Sequence, residues 1–404
     1  MVSVPQDDEA SFAYPGWRIV AVCFAVATFG WGLGFYGQSV YLAELQRQHG
    51  WPSSLIATAT TIFYLGGALL VAFVGDVIRR IGARLCLLGG IAAMATGTVL
   101  LGRITAPWQL YAIDALFAVG WAGTSLGAIT NTLGLWFDRR RGMAISLALN
   151  GASFGGIAGV PLLVAAIGHF GFAGATSIAA AAGVLLLMPL VAVFVGTPPD
   201  HAGPHHASSK AQPMTSGAIR RFALRDPAFL VVTIAFALVL FAQVGVIVHL
   251  IAYLDPLIGR ERAAAAMSLL TAMAVVGRVV ISTVIDRLNQ RLVSALSFAS
   301  QAAALTLLIV ARDPALLLAA CAVFGFSVGN LITLPALIIQ REFPGSSFGV
   351  LVALNTAINQ VTYAFGPGAV GLLRDLSGSY ALPFSCCIGL QIAAAMLIMV
   401  RGRG

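Results

Sequence analysis

The chain has 404 residues, of which 59% are apolar and only 9% charged, and its mean hydropathy is +0.92. So little polar surface cannot cover a water-soluble globule of this size, which places the chain in a bilayer. The net charge of +8 is scattered over the ends of apolar runs rather than gathered with aromatics on one face, which excludes a nucleic-acid surface and leaves membrane orientation as its meaning.

In chain order, residues 1–16 carry Asp7, Asp8 and Glu9 and lack a basic start and a small-residue cleavage site, so they read as a tail ahead of a retained first helix. A transmembrane helix needs about 20 mostly apolar residues. Runs of that length predict helices near 17–41, 53–76, 84–103, 107–136, 141–166 and 172–196, then near 227–254, 263–286, 291–311, 314–339, 347–373 and 379–401. Between the sixth and seventh lies a polar stretch rich in Pro, Gly, Ser and His, the composition of a flexible linker. The expected organisation is a tail 1–16, a bundle 17–196, a linker 197–226 and a second bundle 227–404. This is an all-α membrane protein of twelve transmembrane helices in two pseudo-symmetric six-helix bundles.

Alternate loops differ in cations. Sixteen fall on the linker's side, among them Arg79, Arg80, Arg84, Arg139, Arg140, Arg141 and Lys210, against six on the other: Arg47, Arg103, Arg260, Arg262, Arg312 and Arg374. The positive-inside rule then puts the linker and both termini in the cytoplasm. Arg278 belongs to neither side. At about 1.5 Å per residue it lies roughly 13 Å from Arg287, near mid-bilayer. A guanidinium there costs about 2.5 to 3.5 kcal/mol on insertion scales, so it should face the bundle interior and a partner. That partner is either a substrate carboxylate gripped by both oxygens, or the carbonyls of a broken helix or a buried acid.

Asp114 is the other intramembrane charge, about 10 Å inside the helix that starts at Pro107. It is a candidate proton carrier, since removal from water favours the protonated carboxyl, or else a hydrogen-bonding partner of a neighbouring helix. His249 titrates near neutral pH when unperturbed, and reads either as a second proton carrier or as a gate or interface residue. Trp31, Tyr36, Gln38, Asn131 and Asn150 in the first half, and Gln243, Asn330, Asn355, Asn359, Gln360 and Tyr363 in the second, either line a cavity or serve as interhelical glue. Asn150 and Asn355 stand out because "SLALNGASFGG" in the fifth helix is echoed by "LVALNTAINQ" in the eleventh. Such an echo between halves points to a transporter. Gly151, Gly155 and Gly159 thin one face of the fifth helix for close packing.

The stretch "GDVIRRIGAR", residues 75–84, resembles the signature of the major facilitator superfamily between its second and third helices, through Gly75, Arg80, Gly82 and Arg84. Arg79 occupies the usual aspartate position, and Asp76 sits where it can pair with Arg80 at i, i+4. A second copy, "STVIDRLNQR", keeps Asp286, Arg287 and Arg291 but has Ser282 for the glycine. The resemblance implies that these two sets form a conformational latch. "HGWPSS", "WFDRRRGMAISLALNGASFGG", "VHLIAYLDPLIG" and "GPGAVGLLRDLSGSY" further resemble the monocarboxylate porter and oxalate/formate exchanger branch, whose anion-binding arginine occupies the position of Arg278. The oxalate exchanger adds a lysine in its eleventh helix, whereas the sole lysine here is Lys210.

No His-Glu-x-x-His helix, phosphate-binding loop or catalytic triad is present, so an enzyme is not expected, and neither is a cofactor or metal. The five cysteines have no zinc or disulfide spacing and read as small packing residues. The expected function is secondary transport of a small organic monoanion across a bacterial inner membrane by a monomer, with a proton as possible co-substrate. The alternative is a larger amphipathic or neutral solute such as a drug or vitamin. The expected substrate contacts are Arg278, Asn150, Asn355, Asn359, Tyr363 and Gln38, with Asp114 and His249 for proton coupling.

Overall fold

The structure is a computed structural model that describes residues 9, 11, 14–196, 216–344 and 347–400. Lys210, most of the linker, and Arg401 and Arg403 lie outside the described residues. Among those described, helices occupy nearly the whole chain and no strand occurs, as lipid demands of a backbone whose polar groups must be satisfied internally. Eleven helical stretches are long and apolar enough to cross a bilayer. One of them, Arg141–Phe194, runs 54 residues and is broken at Gly171, whose φ of 70° only glycine adopts without strain. It therefore supplies the fifth and sixth spans, and the expected total of twelve is reached.

The spans are Gly16–His49; Ser53–Val71, continued over 74–81; 83–101; Pro107–Leu133; 141–170; and 172–194. Gly82, with φ 86° and ψ 157°, separates the second from the third. After the linker come Pro227–Ile258, Arg260–Val284, Gln290–Val310, Pro314–Ile332, Phe348–Ser377 and Ala381–Ile398. By packing, the chain divides into two compact units: Met1–Gln38 with Leu65–Ser208, and Ser39–Tyr64 with Ser209–Gly404. The hairpin 39–64 thus packs with the second half although it precedes it in the chain.

Inside the first unit the first and fifth spans approach backbone to backbone. A Cβ on Gly151 would collide with the Phe24 carbonyl, and one on Gly155 with that of Thr28. Here both helices widen into π-turns, Trp31–Tyr36 and Gly155–Gly159. Gly159 is less crowded, with Gly32 Cα 3.6 Å from its would-be Cβ. In the second unit Gly277, Gly325 and Gly329 bring the eighth and tenth spans equally close. Without a hydrophobic drive between helices in lipid, such small-residue faces supply the packing.

Corresponding spans of the two halves are interrupted. The fourth breaks at Ser125, whose backbone is extended and whose hydroxyl caps Leu126–Leu133 by accepting from Ala128 N–H at 3.3 Å. The tenth narrows to a 3-10 turn over Gly329–Ile332, followed by Pro335, which has no N–H for the Leu331 carbonyl. Paired interruptions of this kind mark the substrate region in transporter folds built from repeats.

Candidate functional site

Arg278 stands where the eighth span meets the interrupted tenth. The Gly277/Gly325/Gly329 contact brings the helices close enough for its Nε to donate to the Gly329 carbonyl at 3.4 Å. That carbonyl lies outside the regular ladder, since Thr333 N–H bonds Asn330 instead. The side chain is half-buried, and among the described residues no carboxylate lies within ion-pair reach of it. One long bond leaves most of the guanidinium's five donors unused.

Asn355, Asn359 and Tyr363 recur every four residues on the eleventh span and so share one face. Asn355 and Asn359 are 3% and 4% exposed, yet the Oδ1 of each has no hydrogen-bond partner. Two orphaned buried acceptors one turn apart form a polar patch that a donor-bearing ligand or water would satisfy. Tyr363 packs edge-to-face on Tyr64, with ring centroids 5.7 Å apart.

In the first unit Gln38 and Asp114 come together: Gln38 Nε2 donates to Asp114 Oδ1 at 3.5 Å, and Asp114 is only 2% exposed. Seven residues further along the fourth span, Trp121 packs against Trp31 at 4.5 Å and Phe35 at 6.5 Å. Asn150 is exposed, unlike its sequence echo Asn355, because the fifth span packs on the face carrying Ala144, Ala148 and Gly151. His249 is fully buried and bonded at both ring nitrogens, Nε2 to the Pro367 carbonyl at 3.0 Å and Nδ1 to the Tyr380 hydroxyl at 3.2 Å. The carbonyl requires an N–H at Nε2, and in the neutral ring Nδ1 then accepts from the tyrosine hydroxyl. The ring thus ties the seventh span to the eleventh and to the residue that opens the twelfth.

The Major Facilitator Superfamily profile matches residues 20–367. The chain belongs to the major facilitator superfamily. Relatives include an MFS-type transporter, pynF of Aspergillus niger, 25% identical over 85% of this chain and 76% of its own length. Monocarboxylate transporter 13 of Bos taurus is 26% identical over 91% of this chain and 85% of the relative, and the bacterial transporter YcxA of Bacillus subtilis is 24% identical over 86% of each. In fold, the chain is similar to the nucleoside transporter NupG, with a TM-score of 0.79 at 12% identity over 95% of this chain and 99% of that one. A bacterial homolog of the lysosomal transporter Spinster gives a TM-score of 0.72 at 14% identity over 97% and 96%. The protein is thus a multi-pass membrane transporter and not an enzyme.

The superfamily's loop residues take specific partners here. Asp76 pairs with Arg79, three residues on, and not with the expected Arg80, which is exposed. Both partners lie on the surface just before the Gly82 break. Arg84 Nε donates to the Val195 carbonyl at 2.5 Å, at the end of the sixth span. Arg291 forks onto Glu342 at 2.6 and 2.8 Å and donates to the Ile398 and Val400 carbonyls at 2.9 and 3.0 Å. Arg287 is exposed in a 3-10 turn, and the Asp286 side chain lies outside the described ones.

Three features escaped sequence reasoning. Glu44 is buried and pairs with both Arg47, at 2.6 Å, and Arg260. These arginines read in sequence as loop charges; the signal was a lone acid three residues before Arg47. Asp375 accepts from Ser53 N–H at 3.2 Å and Ser54 N–H at 2.7 Å, capping the second span from the far end of the eleventh. Gln243, for which cavity lining and interhelical glue were both open, joins a chain of three glutamines that no local pattern marks: it accepts from Gln301 at 2.9 Å, which accepts from Gln391 at 3.0 Å.

Proposed function

We propose that the protein is a secondary transporter of a small organic monoanion, working by alternating access in a bacterial inner membrane with the linker and both termini in the cytoplasm. The moving bodies of the proposal are the two six-span halves, 17–196 and 227–404, joined by the linker 197–226. The observation that carries the substrate class is Arg278: a half-buried guanidinium in the body of an apolar span, with no carboxylate among the described residues to neutralise it. A planar fork with unused donors suits a carboxylate. Asn355 and Asn359 offer acceptors for a hydroxyl or a protonated group of the same solute. The monocarboxylate transporters among the relatives support this class. Asp114, buried beside Gln38, is the group proposed to bind a coupling proton.

A larger amphipathic solute is the second reading. It draws on the Trp31, Phe35 and Trp121 cluster, an aromatic surface suited to a flat apolar body, and on the Gly329 contact, which gives Arg278 a capping role. Flux into proteoliposomes over a panel of labelled acids, with and without a pH gradient, separates the two. Movement of monocarboxylates supports the first. Inactivity toward every acid together with robust movement of a lipophilic cation sinks it.

A further inference from the structure

The short helix Ser216–Ala223 joins the linker to the seventh span and has two unlike faces. Ile219 and Ala223, one turn apart, are buried in an apolar cluster with Phe229, Ile339, Phe343 and Leu351. On its outer side and just beyond it, Arg220, Arg221 and Arg225 are exposed, and beside them Phe222 and Leu224 remain 48% and 49% exposed. The three arginines have no acceptor among the described residues. The acid lining the same cavity, Asp226, is buried and caps the first turn of the seventh span by accepting from the N–H groups of Ala228 at 2.9 Å and Phe229 at 3.3 Å. A cavity of about 490 Å³ opens between Ala218, Arg221, Phe222, Arg225, Asp226 and Pro227.

We propose that this cavity binds the headgroup of an anionic phospholipid, with Arg221 and Arg225 on the phosphate and Phe222 and Leu224 in the acyl boundary. Depth supports a lipid: the seventh span has 32 residues, well beyond the roughly 20 that cross the hydrocarbon, so its first turn reaches headgroup level. Charge selects an anionic one, because Arg221 and Arg225 line the cavity, Arg220 is exposed on the same helix, and the one lining acid, Asp226, accepts from backbone N–H groups. A soluble anion gains nothing from exposed Phe222 and Leu224, whereas basic residues alternating with aromatic and aliphatic ones on a short helix are the pattern of an interfacial element. The helix rests on Ile339 and Phe343, at the end of the helix Leu334–Glu342 that continues the tenth span, and on Leu351 near the start of the eleventh, so an occupied site steadies those ends.

The test uses full-length protein carrying Phe222→Trp in nanodiscs of phosphatidylcholine doped with brominated phosphatidylglycerol or brominated phosphatidylcholine. The added indole is read as the difference from the parent chain. Bromines on the anionic lipid should quench it at several-fold lower mole fraction than those on the zwitterionic one. Arg221→Gln with Arg225→Gln should erase that preference, at roughly fivefold per arginine removed. Native mass spectrometry of the unmodified chain and of the same glutamine pair gives a second readout, with lost phosphatidylglycerol adducts expected in the variant. Equal quenching by the two lipids, or an unchanged preference in the glutamine pair, overturns the proposal. Displacement of the lipid by millimolar inorganic phosphate also overturns it, by showing a site for a free anion.

Discussion

Arg84 and Arg291 occupy matching positions of the two halves and hold matching ends: Arg84 bonds the carbonyl of Val195 behind the sixth span, Arg291 those of Ile398 and Val400 behind the twelfth. Helix C-termini leave four carbonyls without intrahelical donors, and a cation there also meets the negative end of the dipole. Arg291 carries a second duty, its fork on Glu342, which Arg84 lacks. Arg84 and Arg291 are thus each a staple within their own unit.

The unequal duties set unequal costs. Arg84→Ala removes one hydrogen bond of an exposed, solvent-screened side chain, about 0.5 to 1.5 kcal/mol. Arg291→Ala also strands the largely buried Glu342, which raises the loss to about 3 to 5 kcal/mol. Thermal unfolding in detergent should show the larger drop in Tm for Arg291→Ala, and adding Glu342→Gln should recover part of it. Equal drops, or no recovery, would contradict the stranded-charge account.

Asp114→Asn should keep exchange of substrate while losing the response to an imposed pH gradient, because an amide still pairs with Gln38 but carries no proton. Gln38→Ala should be milder, since the 3.5 Å bond it removes is long. Accumulation driven by a proton gradient in the Asp114→Asn variant removes this residue from coupling. His249→Gln is then the next experiment, though the two bonds already made by that ring argue for a structural loss.

The twelve spans were legible because lipid makes apolar length a direct readout of structure, and Arg278 and Asp114 because a charge inside such a run is costly. What sequence left hidden was pairing across distance. Asp375 is 321 residues from Ser54, and Glu44 is 216 from Arg260, so no local pattern announces either contact. The echo between Asn150 and Asn355 does not extend to burial, for a related reason. Shared sequence fixes a position along a helix, but the face that packs is set by neighbours, and where Ala144, Ala148 and Gly151 are buried Asn150 is left exposed.

Glu44 has two arginines of different worth. Arg47 is 54% exposed and Arg260 only 19%, so solvent screens the first pair far more. Arg47→Ala should cost about 0.2 to 1 kcal/mol, the range of surface pairs. Arg260→Ala should cost several-fold more by leaving a buried carboxylate with one screened partner. A double-mutant cycle with Glu44→Gln on Tm, repeated in high salt, measures both couplings. A stronger coupling for Arg47 than for Arg260 would reverse the ranking.

For Arg278, substitution by alanine should abolish anion transport while the protein stays monodisperse in detergent. Lysine should rescue little, because a point charge lacks the planar fork. If the capping of Gly329 is its whole role, the alanine variant loses stability and retains flux in what remains folded. Flux per folded molecule, compared among arginine, lysine and alanine chains, decides between them.

Charge selectivity follows from the same residue. Every carboxylate brought into the body of the bilayer must meet a cation or a proton, since an unpaired charge there costs several kcal/mol. The eighth span offers Arg278, and the face of the eleventh offers Asn355, Asn359 and Tyr363, none of them a cation. The only lysine of the chain, Lys210, falls in the linker. One guanidinium balances one carboxylate, so a lactate-like, keto or small aromatic monoacid should be carried in preference to oxalate or another dicarboxylate. Competition by unlabelled acids at pH 7 measures this, with matched monocarboxylates and dicarboxylates against one labelled monoacid. Asn355→Lys should shift the ranking toward the dianion by supplying the missing charge, provided Arg278 is kept. Stronger inhibition of the unmodified chain by dicarboxylates would mean that a second cationic group faces the substrate, and that the polar patch of the eleventh span is not its charge-determining surface.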